Sequence, residues 1–182
     1  YDYVDNGYTL PRDILSLEEE QKINETASLR VIGLTIETRP DYLDPRDYDK
    51  KLNGILDSDE RVYRNLKFFR KLGVTRVQIG VQHTDDDILK LVNRECTNEL
   101  NKKAIKFLKQ NGFKVDIHLM LDLPGSTPNL DMLMLQEVIS NPDYESDQWK
   151  IYPTEVTDFS EIKKWYDSGK YKPYAETNLD DL

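Results

Sequence analysis

The chain has 182 residues, 38% hydrophobic and 32% charged, with 25 Lys and Arg against 34 Asp and Glu for a formal net charge of −9. That length suits one domain or part of a larger one, and no apolar run approaches the ~18–20 residues of a membrane helix. A single cysteine, Cys96, excludes an internal disulfide framework and an all-cysteine metal site, and the acidic balance argues against a broad nucleic-acid surface.

No secretory leader pattern opens the chain, and its start at Tyr1 rather than Met leads one to expect an excerpt or a processed product. Residues 1–16 show no period. LEEEQKINETAS, from Leu17, reads as a polar surface helix, so residues 1–28 are expected to be an extension with one surface helix. LRVIGLTIETRPD (29–41) is apolar and β-branched, the pattern of a strand buried on both faces. Residues 41–58 read as a loop, with the look of an insertion. DERVYRNLKFFRKL (59–72) is an amphipathic helix with Val62, Leu66, Phe69 and Leu72 on one stripe, Asp59 as N-cap and Gly73 just past its end. The unit then repeats: strand 74–82, helices near 84–93 and 97–110, strand 113–124, helix 129–140, strand 148–153 and helix 159–168. Alternation at this spacing predicts an α/β fold with about four parallel strands joined by right-handed crossovers, either a doubly wound sheet or an arc of a barrel.

Alternate residues of a strand share a face. Glu37 and Arg39 fall on one parity of the first strand, Gln78, Gly80 and Gln82 of the second, His118, Met120 and Asp122 of the third, and Lys150 and Tyr152 of the fourth. The opposite parity is apolar throughout and suits packing under helices. Polar parities converging on the carboxyl ends of parallel strands describe a β/α ligand site; the plain alternative is a solvent-exposed sheet face.

Each polar group has a bland reading beside the functional one. Glu37, Arg39 and Asp41 form either a surface turn with local ion pairs or a carboxylate–guanidinium set for hydroxyl, carboxylate or phosphate groups. Gln82 serves a turn, or recognises a ribose or amide. A lone strand histidine such as His118 is more often a satisfied interior group than a base. Lys150, in a short apolar strand, needs a partner such as Glu37 or Asp122, or an opening to ligand and water. LPGST (123–127) resembles a phosphate-binding turn but reads better as a strand-to-helix turn, with Thr127 as N-cap and Pro128 at the first helical position. Lys102, Lys103, Lys106 and Lys109 make a basic helix stretch, usually a solvated face. Cys96 reads as a structural cysteine.

The segments GLTIETRPDY (33–42), GVTRVQIGVQ (73–82), Asn93–Arg94, GFKVDIHLMLDLPG (112–125), NPDY (141–144), and WKIYPT with WYDSGKYKPY (149–154, 165–174) resemble, in order, the catalytic subunit of the Elongator complex. That family is a radical S-adenosylmethionine enzyme fused to an acetyltransferase domain. The resemblance implies that residues 29–182 are the later strand–helix units of a partial (β/α) radical-SAM barrel. It also implies modification of the wobble uridine of tRNA toward 5-carboxymethyl-type uridine, with acetyl-CoA as co-substrate and a radical derived from S-adenosylmethionine at a [4Fe–4S] cluster. Glu37, Arg39, Gln82 and His118 would then bind S-adenosylmethionine, and Lys150 and Tyr152 the acetyl or substrate side; no catalytic base is named. tRNA and other Elongator subunits are the implied partners, with no membrane, in the cytoplasm and, in a eukaryote, the nucleus.

The chain departs from the family pattern in several ways, one of them that residues 44–60 are longer than the family's loop. The cluster cysteines and the acetyltransferase domain fall outside it, so no metal ligands are expected here and the piece alone is expected to be inactive. RECT (94–97) replaces RGHT, placing Cys96 where the family has histidine. His83 replaces a usual serine. These departures keep two alternatives open: a diverged non-catalytic RNA- or protein-binding module, and a different radical enzyme acting on a small molecule.

Overall fold

A computed structural model of the chain describes residues 14–43 and 58–176, with side chains from residue 65 onward in the second stretch. The aromatics of the first residues, the segment 44–57 and the side chain of Val62 lie outside that description. The chain forms two compact units, residues 1–32 and 33–182. In the first, α1 (Leu17–Thr26) starts from Ser16, whose hydroxyl accepts from the Glu19 N–H while the Glu19 carboxylate accepts from the Ser16 N–H: a capping box. Beyond α1, the Asn24 side chain accepts from the N–H of Val31 and donates to its carbonyl, both at 2.8 Å, so a single side chain turns the backbone.

The second unit is a four-stranded parallel sheet in the order β1 (Leu34–Thr38), β2 (Val74–Gln82), β3 (Lys114–Leu121), β4 (Gln148–Pro153). Between the strands run α2 (Ser58–Lys71), then α3 (Asp86–Leu91) with α4 (Asn98–Gln110), then α5 (Pro128–Ser140); α6 (Glu161–Asp167) follows β4. The outward parity of β2 and β3 makes the core. Val77, Ile79, Val81, Val115, Ile117 and Leu119 are all 0% exposed and pack with Leu66 of α2, Ala104, Ile105 and Leu108 of α4, and Met134 and Val138 of α5. Burying each such side chain is worth about 1.5–3 kcal/mol. Gly73, Gly112 and Gly169 take φ of 85°, 74° and 72° just past helix ends, where a left-handed residue closes the last turn. Thr127 caps α5 through the Leu130 N–H, with Pro128 following, as the sequence predicts.

The structure corrects the sequence at the margins. Only Leu34–Thr38 of the 29–41 run is strand. Leu29 and Ile32 are each 91% exposed, and β1 itself is largely exposed, because it is an edge paired on one side to β2. At the other edge, Trp149 and Ile151 are 40% and 44% exposed rather than packed under a helix, and α6 has no buried residue. Full burial belongs to the two central strands, which alone have neighbours on both sides. α2 begins at Ser58, which places Asp59 inside the helix rather than at its cap. Three of the four lysines of the α4 stretch are paired: Lys102 with Glu137 at 3.1 Å, Lys103 with Glu99 at 3.5 Å and Lys109 with Glu145 at 3.1 Å. Among the described residues no helix is long and apolar enough to cross a membrane.

Candidate functional site

The carboxyl end of β2 is irregular where a ligand site would need it. Pairing with β3 slips between Gly80 and Gln82. Gln82 takes φ 69°, and the His83 N–H donates to the Val81 carbonyl at 2.9 Å, closing a three-residue turn around Gln82. The turn sends the Gln82 side chain back across Gly80. A Cβ at Gly80 would lie 2.6 Å from Gln82 Nε2 and 2.6 Å from Arg94 Nη2. Gly80 is therefore the floor over which an amide and a guanidinium cross. Arg94 Nη2 donates to the Gly80 carbonyl at 2.9 Å, while its Nε, like Gln82 Oε1, is buried with no partner. Burial lowers the Arg94 pKa.

His118 of β3 sits beside Gly80 on one side and Lys150 on the other, and its exposure is 9%. Its Nδ1 lies 3.5 Å from Glu37 Oε1, and Tyr152 meets the ring edge-on with centroids 5.7 Å apart. His118 Nε2 is a third buried atom without a partner. Burial lowers the His118 pKa, Lys150 lowers it further, and Glu37 opposes both, so this wall favours the neutral ring. Its NMR titration is expected below that of an unperturbed histidine; a midpoint at or above it would place His118 outside this buried wall. The folded state thus binds fewer protons than the unfolded one as pH falls below the ordinary histidine value, and the stability tied to a neutral His118 is lost in that direction.

Lys150 is half-buried, and among the described residues no ion pair joins it to Glu37 or Asp122. Glu37 faces His118, and the Asp122 carboxylate accepts from the N–H groups of Tyr174 at 3.0 Å and Ala175 at 3.1 Å. Neither of the two carboxylate partners the sequence offered for Lys150 is paired with it.

Arg39 is engaged elsewhere. Its Nε and Nη2 donate to the two Asp41 oxygens at 2.8 and 2.7 Å, and Cys96 Sγ–H donates to Asp41 Oδ1 at 3.2 Å. Burial, with the Asp41 carboxylate beside it, pushes the Cys96 thiol up to about 11, as befits an inert structural cysteine. This fork ties the turn after β1 to the segment between α3 and α4, which also carries Arg94.

A second buried group braces the mouth from behind. One Asp131 oxygen accepts from His83 Nε2 at 3.1 Å and from the Ser126 hydroxyl; the other accepts from the Asp122 N–H at 2.7 Å and the Tyr174 hydroxyl at 2.6 Å. Because His83 Nδ1 accepts from the Asp85 N–H at 2.9 Å, Nε2 carries the proton. Burial alone would raise the Asp131 pKa, but the donors prevail and hold it below the usual carboxylate range. Tyr171 adds a hydroxyl bond to the Asp122 carbonyl. Four donors from three separate segments meet at one carboxylate.

Of the residues the sequence singled out, Glu37, Gln82, His118, Lys150 and Tyr152 line the carboxyl ends of the strands, and Arg39 lies beside them in its own ion pair. Arg94 was missed as a site residue; it follows a short helix, and only the fold returns it to β2. Asp131 was missed because its helix position looks like an ordinary first-turn acid. Among the described residues no group of three or more His, Cys, Asp or Glu could hold a metal ion.

A family description, the radical SAM superfamily, matches residues 7–134. The tRNA uridine(34) acetyltransferase of Methanocaldococcus jannaschii is 43% identical over 164 residues, covering 90% of this chain and 27% of that protein. Elongator complex protein 3 of Schizosaccharomyces pombe is 32% identical over 166 residues, covering 91% of this chain and 27% of that protein. The solved archaeal Elongator protein 3 of Methanocaldococcus infernus, lacking its N-terminus, superposes with TM-score 0.73 at 41% identity, over 90% of this chain and 34% of that one. This chain thus spans about a quarter to a third of the length of these relatives. On these matches the chain belongs to the radical SAM superfamily, within the family of the tRNA uridine(34) acetyltransferases and Elongator complex protein 3.

Proposed function

We propose that this chain supplies the later barrel strands of an enzyme that modifies the wobble uridine of tRNA toward a 5-carboxymethyl-type base, with acetyl-CoA as co-substrate, and that its strand mouth holds S-adenosylmethionine. Superfamily membership implies S-adenosylmethionine and a [4Fe–4S] cluster. The residues present do not fit the cluster, since the one cysteine is buried against Asp41. They do fit the nucleoside. The observation that carries this reading is the set of three buried polar atoms without partners, Gln82 Oε1, Arg94 Nε and His118 Nε2. Such atoms are costly in a fold and are satisfied when a polar ligand arrives.

Arg94 is the carboxylate clamp of that site, a buried guanidinium with a free donor. Glu37 accepts from hydroxyl groups, and Gln82 both donates and accepts, the pairing a ribose needs. Neutral His118 offers Nε2 as an acceptor. When bound, S-adenosylmethionine supplies a radical source, and the protein's share is to place it against the substrate and exclude competing reactions. Lys150 and Tyr152, beside His118 on the next strand, are assigned to the acetyl or substrate side: an ammonium to polarise a carbonyl, and a ring with a hydroxyl to bound the pocket.

In the complete enzyme, Lys150→Met keeps most of the side-chain volume and removes the charge. It is expected to leave the melting temperature nearly unchanged and to abolish tRNA modification. Modification at the wild-type rate would make Lys150 a structural residue and remove the substrate side from this strand. The tRNA and any partner subunits belong to the complete protein.

A further inference from the structure

The link from β4 to α6 is held at both ends. At its start, the backbone N–H and hydroxyl of Thr154 both donate to the Leu121 carbonyl, at 2.9 and 2.8 Å. At its end, Thr157–Ser160 closes a four-residue turn: the Ser160 N–H and hydroxyl donate to the Thr157 carbonyl at 3.4 and 2.6 Å, and the same hydroxyl accepts from the Lys163 N–H at 3.1 Å. Phe159 is the third residue of that turn. It takes φ 67°, the left-handed region that favours glycine, and its side chain is 105% exposed. A bulky side chain there strains the backbone, and full exposure returns none of that cost as apolar burial. The hydrogen bonds around the turn hold both features in place.

We propose that Phe159 is a stacking platform for a base of the RNA substrate, set beside the strand mouth; this rests on the tRNA-modifying reading above. It stands after β4, at the end of the sheet that carries Tyr152. The lysines that follow it are engaged, Lys163 with Asp167, Lys164 with Glu161 at 2.7 Å and Lys170 at 4.2 Å over the Trp165 ring, and Asp158 adds a negative charge beside it. Such a surface offers little to a phosphate. An exposed ring binds the flat, uncharged face of any base, the contact that single-stranded RNA readers use. Protein-binding anchors sit instead among other apolar side chains, whereas Thr157, Asp158 and Ser160 beside Phe159 are polar.

The test compares the complete protein with its Phe159→Gly and Phe159→Trp variants, using a tRNA anticodon stem–loop as probe and anisotropy as readout. Glycine suits φ 67°, so Phe159→Gly should melt at the same or a slightly higher temperature while binding the RNA about 5- to 100-fold more weakly. Phe159→Trp should restore binding. If Phe159→Gly binds the stem–loop as tightly as wild type, the base contact is overturned while the tRNA reading stands, and the exposed ring is left to a protein partner. If the wild-type protein itself does not bind the stem–loop, both the tRNA reading and this contact fall.

Discussion

Asp131→Ala is expected to cost about 3–5 kcal/mol, enough to unfold or grossly loosen this chain. The side chain is 4% exposed and its two oxygens accept four hydrogen bonds, from His83, Ser126, Asp122 and Tyr174. Alanine would leave four donors facing a small void, each with its own desolvation cost. Asp131→Asn fills the void but turns one acceptor into a donor opposite existing donors, and should fall between alanine and wild type. Urea unfolding followed by circular dichroism measures both. A loss under about 1 kcal/mol for the alanine variant would mean the four bonds do not brace the fold. The sign with pH follows from the depressed pKa of Asp131: its stabilisation is complete above the ordinary carboxylate pKa and is lost as pH falls through the lower folded value.

Gly80→Ala should separate site from fold. The added methyl would meet Arg94 Nη2 and Gln82 Nε2 at 2.6 Å. Both are the far ends of flexible side chains, so they swing aside and the sheet persists, at a stability loss of about 1 kcal/mol or less. What is lost is the crossing over β2. With the guanidinium and the amide displaced, binding of S-adenosylmethionine in the complete enzyme is expected to weaken by about 10- to 100-fold, the worth of one or two hydrogen bonds to charged groups. Isothermal titration beside a thermal melt reads both quantities. Unchanged affinity would remove Gln82 and Arg94 from the cofactor site; a collapsed melt would make Gly80 a packing residue.

The sheet was legible because its signal is local. Val77, Ile79 and Val81 alternate with Gln78, Gly80 and Gln82, and period two fixes which parity meets the helices. The same rule put Glu37, His118, Lys150 and Tyr152 on one wall. It failed at the edges, because an apolar run such as Leu29–Ile32 reads the same whether or not another strand lies beside it. It succeeded at Gln82 for an incomplete reason: parity assumes a regular strand, yet the register slips there and a left-handed turn brings the side chain back over Gly80. Arg94 and Asp131 were hidden because their partners are distant in the chain. Arg39 was ambiguous because Asp41, two residues on, is close enough to claim it.

The carboxylate of Asp131 also sets the order in which the molecule can be finished. It gathers His83, the turn at 122–126 and Tyr174, and a ribosome releases these one after another. When β4 has emerged at Pro153, all four strands exist and the hydrophobic core can close, yet two acceptor sets are still waiting: the Asp122 carboxylate for the N–H groups of Tyr174 and Ala175, and Asp131 for the Tyr174 hydroxyl. The Tyr174 and Ala175 contacts thus form only after the strands they brace, because both residues follow β4 in the chain. A boundary drawn after the last strand would keep the sheet and discard the clasp. A piece that keeps this clasp therefore has to run past β4 to the 3-10 turn Tyr174–Glu176.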